Sequence, residues 1–262
     1  MIELDSDNRA CLRTLFDRYP CLHGVVAAVI EGGMGRAFAD ARGEPQLALA
    51  VLDFHLLAGD PLHANAPLLF RQLQPGNVII APTPAWRHLV AATYPDAMAV
   101  YRREAFQAEQ FDTDRLRGFC QVLPGGFELR QVRPEEVAQF ATDLAPALIY
   151  NFRSREEFIT RGVGMGILHQ GRFVSGASSA AIGGGKFEIE IQTHPQFRRR
   201  GLARAVAAAL IRYCLEHGIE ACWDAANEPS ASLARQLGFH STGKYEAYRL
   251  ITRSLGSGAR GP

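Results

Sequence analysis

The fold is decided by residues 194–206, which read HPQFRRRGLARAV. They follow a β-rich run at residues 187–193 and lead into a long helical pattern that stops at Gly218. The exposed N–H groups and the positive dipole end of such a helix favour an anion. Gly201 and Ala203 are small enough to let a phosphate approach the backbone, and three arginines precede them. The segment predicts a phosphate-binding loop; a solvated basic turn or part of a nucleic-acid surface is the alternative.

The chain on both sides of this loop alternates helical and strand-like segments, which predicts an α/β fold. Before the loop, Pro134 and the acids after it open a helix, and Ser154 begins a capping box. The remaining predicted strands and helices of the C-terminal half are strands at 127–132, 163–169, 172–182, 220–224 and 239–251, and helices at 201–217 and 230–237. Nearer the N-terminus the pattern predicts a helix at 6–19, strands at 47–55 and 78–81, helical stretches around Leu68 and Trp86, and a helix capped by Asp112 or Asp114.

Two ordered motifs carry a family resemblance. Residues 198–203 (RRRGLA) fit the pattern R/Q-x-x-G-x-G/A with alanine in the last place, and residues 223–239 (WDAANEPSASLARQLGF) fit N-x-x-A…L-G-F. In this order and at this separation they resemble the acetyl-CoA motif and the following helix of the GCN5-related N-acetyltransferase (GNAT) superfamily. FVSGASS at 173–179 and FEIEIQTHP at 187–195 are similar to a two-part bacterial branch that includes the zwittermicin A resistance acetyltransferases.

The resemblance covers residues 127–251 and implies a GNAT fold, in which helices flank a mixed, splayed central sheet. A turn-rich break at residues 123–126 (LPGG) predicts a domain boundary. We therefore expect a smaller N-terminal α/β domain at 1–123, a GNAT acetyltransferase domain at 124–254 and a flexible tail at 255–262. We hypothesise that the N-terminal part is a degenerate copy of the same α/β unit, and that it supplies part of the acceptor cleft or a dimer surface.

The resemblance also implies acetyl-CoA as the acetyl donor, bound between the strands at 187–193 and 220–224. Asn227 matches the residue that contacts the pantetheine arm in relatives, although asparagine at this place is equally suited to capping a helix. The residues expected to bind acetyl-CoA are Ile191, Thr193, Arg198, Arg199, Arg200, Gly201, Leu202, Ala203, Arg204, Asn227 and Ser230.

Two carboxylates on one strand are candidates for the general base. Glu188 and Glu190 alternate with Ile189 and Ile191, so both point to one face of the strand. Neighbouring carboxylates raise each other's pKa, which suits proton removal from an ammonium group. The resemblance places Glu188 near the glutamate base of the superfamily, and we favour it over Glu190. A solvated pair on an edge strand is the alternative.

The chain departs from the family at the general acid. Many relatives carry a tyrosine seven residues after the asparagine, where this sequence has Ala234. Tyr245 or Tyr248 could replace it, or the CoA thiolate leaves unaided, since a thiol has a pKa of only about 8.5. The leading hypothesis is direct acetyl transfer in a ternary complex to a primary amine of a small molecule. The alternative is a non-catalytic CoA-binding or regulatory module.

The composition limits which binding partners and which cellular compartment we expect. The 262 residues are 47% hydrophobic and 21% charged with a net charge of +1, which excludes disordered and collagen-like chains and gives no reason to expect nucleic acid or a membrane as partner. The five cysteines form no C-x-x-C pair, the first residues are acidic, and no apolar run reaches membrane-spanning length. We expect a cytoplasmic enzyme without a metal, with acetyl-CoA and a small amine as partners, and we leave open a homodimer.

Overall fold

The computed structural model describes residues 1–17, 19–95 and 98–251, so the predicted tail at 255–262 lies outside the described residues. The strands are β1 (Ile2–Glu3), β2 (Arg36–Ala39), β3 (Leu47–Val51), β4 (His55–Gly59), β5 (Val78–Ile80), β6 (Met98–Gln107), β7 (Phe127–Gln131), β8 (Gly164–His169), β9 (Arg172–Gly183), β10 (Lys186–Thr193), β11 (Glu220–Ala225) and β12 (His240–Leu250). The α-helices are α1 (Arg13–Phe16), α2 (His23–Ile30), α3 (Pro84–Thr93), α4 (Thr113–Gln121), α5 (Val137–Asp143), α6 (Arg155–Arg161), α7 (Leu202–Glu216) and α8 (Glu228–Leu237). Short 3-10 helices occupy Ser6–Leu12, Ala66–Gln72, Pro134–Glu136, Pro146–Leu148 and Pro195–Phe197.

All of these strands join one mixed sheet in the order β1-β2-β3-β4-β5-β12-β6-β11-β10-β9-β8-β7. Two neighbouring pairs are parallel, β4 with β5 and β10 with β11. Between these two pairs, the central strands β5, β12, β6 and β11 pair antiparallel with one another in that order. The predicted mixed α/β sheet flanked by helices is confirmed.

The two halves of the chain repeat one topology. Each begins with a strand and helical segments, continues through three antiparallel strands and a helix, adds a strand parallel to the third, and ends with a helix and a long strand. The last strands are exchanged, because β6 of the first half pairs with β11 and β12 of the second half pairs with β5. The hypothesis of a repeated α/β unit therefore agrees with the order and pairing of the strands, while the division at residues 123 and 124 stays a prediction.

Helix α2 of the first half joins the two halves by packing on the sheet of the second. Gly32, just after α2, and Gly183 at the end of β9 lie so close to the opposite backbone that a Cβ atom would overlap the carbonyl oxygen of Ile182 or Ala27. A Cβ on Gly24 would lie 2.6 Å from Oε2 of Glu188. Helix α2 thus covers the centre of one sheet face, which we call the α2 face.

Local capping explains the helices that position the site. Asn227 caps α8 by accepting a hydrogen bond from the backbone N–H of Ser230 at 3.0 Å, and Asp112 caps α4 in the same way through Arg115. Gly218 ends α7 in the left-handed conformation, with φ of 65°, as predicted. The sequence analysis missed α2 and β6, and the predicted helix at 6–19 is instead a 3-10 helix followed by α1.

Candidate active site

The strands β10 and β11 separate and leave a cleft between them. They pair in parallel only from Lys186 with Glu220 to Glu188 with Cys222, although β10 continues to Thr193 and β11 to Ala225. Beyond Glu188, the backbone of β10 pairs with β9 alone over the length of these fully described strands. The backbone edge of β10 that faces β11 is therefore free to bind a ligand, at the place where the sequence predicts acetyl-CoA.

The phosphate loop, residues 198–204, lies at the mouth of this cleft. Gly201 precedes α7 with φ of 79° and Arg199 has φ of 60°, so the loop turns tightly through two left-handed residues. Gly201 precedes the first turn of α7 and has no side chain to cap it. Free N–H groups at the positive end of a helix of fifteen residues are suited to binding an anion.

The arginines of the loop differ in what they contact. Arg198 donates from Nε to the backbone oxygen of Thr193 at 3.2 Å, and the guanidinium of Arg200 lies 5.4 Å from the centre of the Phe197 ring. Arg204 lies over the Phe119 ring at 4.5 Å. Arg198, Arg199 and Arg200 are exposed, whereas Leu202 is buried in the core beneath the loop. The loop thus exposes positive charge to solvent, while the packing of Leu202 in the core holds the loop in place.

The remaining predicted acetyl-CoA residues line the two sides of the cleft. On β10, Ile191 packs against the hydrophobic core, and the Thr193 hydroxyl lies 2.7 Å from that of Ser175. On α8, the Ser230 hydroxyl accepts a hydrogen bond from Nε1 of Trp223 at 3.2 Å, while Asn227 is exposed. The structure therefore gathers these residues around one cleft, and the capping role of Asn227 is real whatever else it contacts.

The corresponding cleft in the first half is filled by two aromatic side chains. β4 and β5 pair at His55 and Leu56 only, after which β4 continues to Gly59. The buried Tyr19 hydroxyl donates to the backbone oxygens of Leu57, at 3.1 Å, and Ile80, at 3.2 Å, and so bridges the two strands. Nε1 of the fully buried Trp86 donates to the backbone oxygen of Gly59 at 3.0 Å.

A comparison of α3 with α8 shows why only one cleft is open. Thr83 and Asn227 cap the two helices through the residue three positions later, which is Trp86 in the first half and Ser230 in the second. A tryptophan fills the space that a serine leaves free. The loop after β4, residues 60–65 (DPLHAN), also lacks the arginines and the glycine of the phosphate loop.

A row of charged side chains crosses the centre of the α2 face. Directly paired residues of neighbouring strands point to the same face of the sheet. Glu188 therefore shares a face with Cys222, and Arg103 shares a face with Tyr245. Asp224, two residues after Cys222, shares that face. Arg103 donates from Nε to Oδ1 of Asp224 at 2.5 Å, and the Tyr245 hydroxyl donates to its Oδ2 at 2.6 Å. Both oxygens of a carboxylate that is 2% exposed are thus hydrogen-bonded.

Glu188 and Glu190 extend this row towards the cleft. Burial, followed by the negative charges of Asp224 and Asp53, raises the pKa of Glu188 well above its usual range. Burial also raises the pKa of Glu190, against the lowering effect of Gln192, whose amide donates to Glu190 at 2.7 Å. The register of β10 with β9 shifts between Glu188 and Ile189, yet the charges of Glu190 and Asp53 both raise the pKa of Glu188, so these carboxylates lie near one another. Both groups therefore bind a proton more tightly than an ordinary carboxylate, which is a common property of catalytic acids and bases.

Asp53, between β3 and β4, joins the row from the other half. Its Oδ1 is buried and, among the residues that the structure describes, has no hydrogen-bond partner. Burial raises the pKa of Asp53 from 3.8 to about 6, and the positive charge of Arg103 partly opposes this. We call Asp53, Glu188, Glu190 and Asp224 the carboxyl cluster. The sequence analysis missed Asp53 and Arg103, because no local pattern places either residue beside residues 188–224.

The tyrosine candidates occupy different places. Tyr245 belongs to the row, and burial together with the charge of Asp224 raises its pKa well above 10. Tyr248 donates to Glu246 at 2.6 Å and is buried in the core of the first half, away from the carboxyl cluster. Ala234 is fully buried in the core of the second half.

Over residues 1–17, 19–95 and 98–251, no helix is long and apolar enough to cross a membrane. No group of three or more His, Cys, Asp or Glu side chains in those same residues is arranged to hold a metal ion.

Comparison with known proteins places the chain among acetyltransferases. A family model described as GNAT acetyltransferase matches residues 15–248. The uncharacterized N-acetyltransferase YdfB of Bacillus subtilis is 26% identical over 94% of this chain and 97% of its own length. The crystal structure of a GCN5-related N-acetyltransferase-like protein from Streptococcus suis has a TM-score of 0.82 and 30% identity, and covers 93% of this chain and 98% of that one. A tandem GNAT protein from the clavulanic acid biosynthesis pathway shares the fold, with a TM-score of 0.57 and 12% identity over 95% of this chain and 96% of its own.

Proposed function

The chain belongs to the GNAT acetyltransferase family and is an acyltransferase, and from this premise we propose that it transfers an acetyl group from acetyl-CoA to a primary amine of a small molecule by direct transfer in a ternary complex. The observation that carries the proposal is the open cleft between β10 and β11, with an uncapped helix at one end and the carboxyl cluster beside it. Acetyl-CoA would supply the acetyl group as a thioester.

The phosphate loop would hold the pyrophosphate of acetyl-CoA. The backbone N–H groups from Arg199 to Arg204 would donate to it, while Arg198, Arg199 and Arg200 contribute positive charge from the exposed side of the loop. The free edge of β10 from Ile191 to Thr193 would bind the pantetheine arm on one side of the cleft. Asn227 and Ser230 at the start of α8 would bind it on the other.

Proton removal from the amine is assigned to the pair of carboxylates on β10. Glu188 is our candidate base, since burial and the neighbouring carboxylates raise its affinity for a proton. Glu190, one pleat closer to the open end of the cleft, would contact the same ammonium. Backbone N–H groups of residues 189–193 would donate to the acyl oxygen as negative charge develops there.

Tyr245 is our candidate for returning a proton to the departing sulfur. Its raised pKa keeps the phenol protonated, and its hydroxyl already donates within the row of charged residues. A thiolate is a good leaving group, so that we expect the contribution of this proton to be small beside that of the base.

The experiment uses the purified full chain with acetyl-CoA and a panel of small primary amines. Release of CoA thiol that depends on both substrates, with an acetylated amine in the products, is the expected result. Saturable acetyl-CoA binding without amine-dependent thiol release would instead favour the alternative, a CoA-binding module. Ala234 is the observation that favours that alternative, because many relatives have their acid at this position.

A further inference from the structure

Asp53 is the one member of the carboxyl cluster that the first half of the chain supplies. It lies in the loop between β3 and β4, and next to it the Phe54 ring packs under the guanidinium of Arg103 at 4.8 Å. The Tyr150 hydroxyl, from the second half, lies beside the Asp53 carboxylate and acts on its pKa. Asp53 is therefore held at the boundary between the halves, on the side of the sheet that carries Glu188 and Glu190.

The charges around Asp53 do not balance. Among the described residues the carboxyl cluster has four acidic groups and one facing cation, Arg103, which is hydrogen-bonded to Asp224. The amide of Gln192 satisfies one oxygen of Glu190. Tyr150 hydrogen-bonds to the Asp53 carboxylate, but its Oδ1 is buried and has no hydrogen-bond partner among the described residues. An unpaired buried acceptor costs free energy unless a ligand satisfies it.

A hydrogen-bond donor with positive charge would satisfy this oxygen. An alkylammonium group offers three donors and a full charge, and fits between carboxylates that face one another across a short distance. Asp53 and Glu190 lie close enough for the charge of Asp53 to raise the pKa of Glu190. Arg103 is the cation with the largest effect on the pKa of Asp53, and it is already hydrogen-bonded to Asp224.

We propose that Asp53 is the residue that binds the ammonium group of the acceptor, so that the first half of the chain supplies the specificity of the site for cationic acceptors. This inference rests on the proposed acetyl transfer and extends it to a residue outside the repeat that carries the phosphate loop. Tyr150 positions the Asp53 carboxylate and does not contact the reacting atoms. Because Tyr19 and Trp86 fill the cleft of the first half, we assign acceptor binding to that half and not acetyl-CoA binding.

The test compares Asp53→Asn with the wild-type full chain. The amide keeps the size of the side chain and removes its charge, so the amine KM should rise about ten- to hundredfold, as expected for loss of a charged hydrogen bond. The acetyl-CoA KM should not change, and kcat should change far less than the amine KM. Asp7→Asn, an exposed aspartate of the same half, is the matched control and should behave as wild type.

A binding measurement separates this inference from the proposed function. Calorimetry measures the affinity for an amine without turnover. 1,4-Diaminobutane and the best amine of the panel are each titrated into the complex of the full chain with CoA. If the wild type binds the amine and Asp53→Asn weakens that binding, the inference is supported even when no amine is acetylated. A failure to acetylate any amine would overturn only the proposed function. An unchanged amine affinity and KM in Asp53→Asn would overturn the inference while acetyl transfer stands, as would the absence of amine binding to the wild type.

Discussion

At the scale of single residues, the site combines carboxylates that are hydrogen-bonded with others that are left to titrate. Arg103 and Tyr245 satisfy both oxygens of Asp224, which anchors the row. One oxygen of Asp53 has no hydrogen-bond partner among the described residues, and burial raises the pKa of both Asp53 and Glu188. The same low-polarity surroundings that make these groups costly to ionise raise their affinity for a proton above that of an ordinary carboxylate.

Replacing each glutamate of β10 by glutamine tests the assignment of the base. Glu188→Gln should lower kcat/KM about 10²- to 10⁴-fold, because a positioned base contributes that much, and Glu190→Gln should lower it less. The base acts when deprotonated, so wild-type kcat/KM should rise with pH through an apparent pKa above the usual carboxyl range, and activity is lost as the pH falls.

Steady-state kinetics of both variants from acidic to alkaline pH show which glutamate is the base. The Glu188→Gln profile should lack the rise seen in the wild type. A Glu188→Gln enzyme that keeps full activity and the wild-type profile would rule out this base, and a larger loss in Glu190→Gln would transfer the role to Glu190.

The raised pKa of Asp53 also predicts how the stability of the fold changes with pH. The pKa of Asp53 is about 6 in the folded protein against an ordinary value of 3.8, so the folded state binds the proton more tightly than the unfolded state. Stability is then lost as the pH rises from about 4 to about 6, the range between the two values. Asp53→Asn should raise the free energy of unfolding by about 1 to 3 kcal/mol at neutral pH, and make no difference below about pH 4.

Urea unfolding of Asp53→Asn and wild type at several pH values measures this difference. A variant that is less stable than wild type at neutral pH would show that the Asp53 carboxylate stabilises the fold. Greater stability together with weaker amine binding would mean that the charge is kept for function at a cost to stability.

At the scale of elements, the two clefts of the sheet differ in a few side chains. Both form where a pair of parallel strands separates, yet Tyr19 and Trp86 hydrogen-bond across one, while Ser230 leaves the other open. The open cleft also has the phosphate loop, whose tight turn depends on Gly201 in the left-handed conformation. Side-chain volume and one glycine therefore separate a binding cleft from a packed core in two similar frameworks.

Gly201→Ala tests the phosphate loop, with Gly218→Ala at the other end of α7 as the matched control. Both glycines have positive φ, of 79° and 65°, so each substitution should destabilise the fold by about 1 kcal/mol. Only Gly201→Ala should also weaken acetyl-CoA binding, because only that residue lies where the phosphates would approach the backbone.

Calorimetry with acetyl-CoA and thermal unfolding of both variants give the two quantities separately. Equal losses of acetyl-CoA affinity in the two variants would show that the effect follows general destabilisation and would place the phosphates elsewhere.

At the scale of the whole molecule, one sheet is built from two similar halves that exchange their last strands. Strand β6 supplies Arg103 to the site, and the loop before β4 supplies Asp53, although the phosphate loop and Glu188 belong to the second half. The carboxyl cluster and its partner Arg103 thus come together only when both halves fold together. The predicted boundary at residues 123 and 124 separates parts of the chain that share hydrogen bonds across the sheet.

The filled cleft of the first half predicts one acetyl-CoA for each chain. Tyr19 and Trp86 occupy the space between β4 and β5, and the loop after β4 lacks the basic residues of the phosphate loop. Calorimetric titration of the full chain should give a stoichiometry of one. Two equivalent sites per chain would show that the aromatic side chains move aside when the ligand binds.

The exchanged strands predict that the halves unfold together. The chain has two tryptophans, Trp86 in the first half and Trp223 in the second, so Trp86→Phe and Trp223→Phe each leave a reporter on one half. Their fluorescence transitions in urea should give the same midpoint once each is corrected for the stability of its own variant. Gly183→Ala should lower both midpoints, because its Cβ would overlap the backbone of α2 at Ala27, at a cost of about 1 to 3 kcal/mol or more.

Gly43→Ala is the control, since nothing lies within 4 Å of a Cβ at that position. Two separate transitions, with Gly183→Ala affecting only the second half, would show that the halves fold independently in spite of the shared sheet.

The sequence by itself determined the features that arise within a few neighbouring residues. The Arg-Arg-Arg-Gly loop before a long helix, the alternation that places Glu188 and Glu190 on one face, and the helix caps at Ser154 and Asn227 all depend on short-range geometry. These features were sufficient to predict the family and the fold class.

Only the tertiary structure decided which residues of the first half reach the site and which cleft is open. Arg103 and Asp224 are 121 positions apart and meet because β6 pairs with β11 of the second half. The sequence of β6, MAVYRREAFQ, has no regular alternation of apolar and polar residues that would have predicted a central strand. Tyr19 fills a cleft formed by strands far along the chain. Such contacts follow from the pairing of whole strands, which no local pattern of residues encodes.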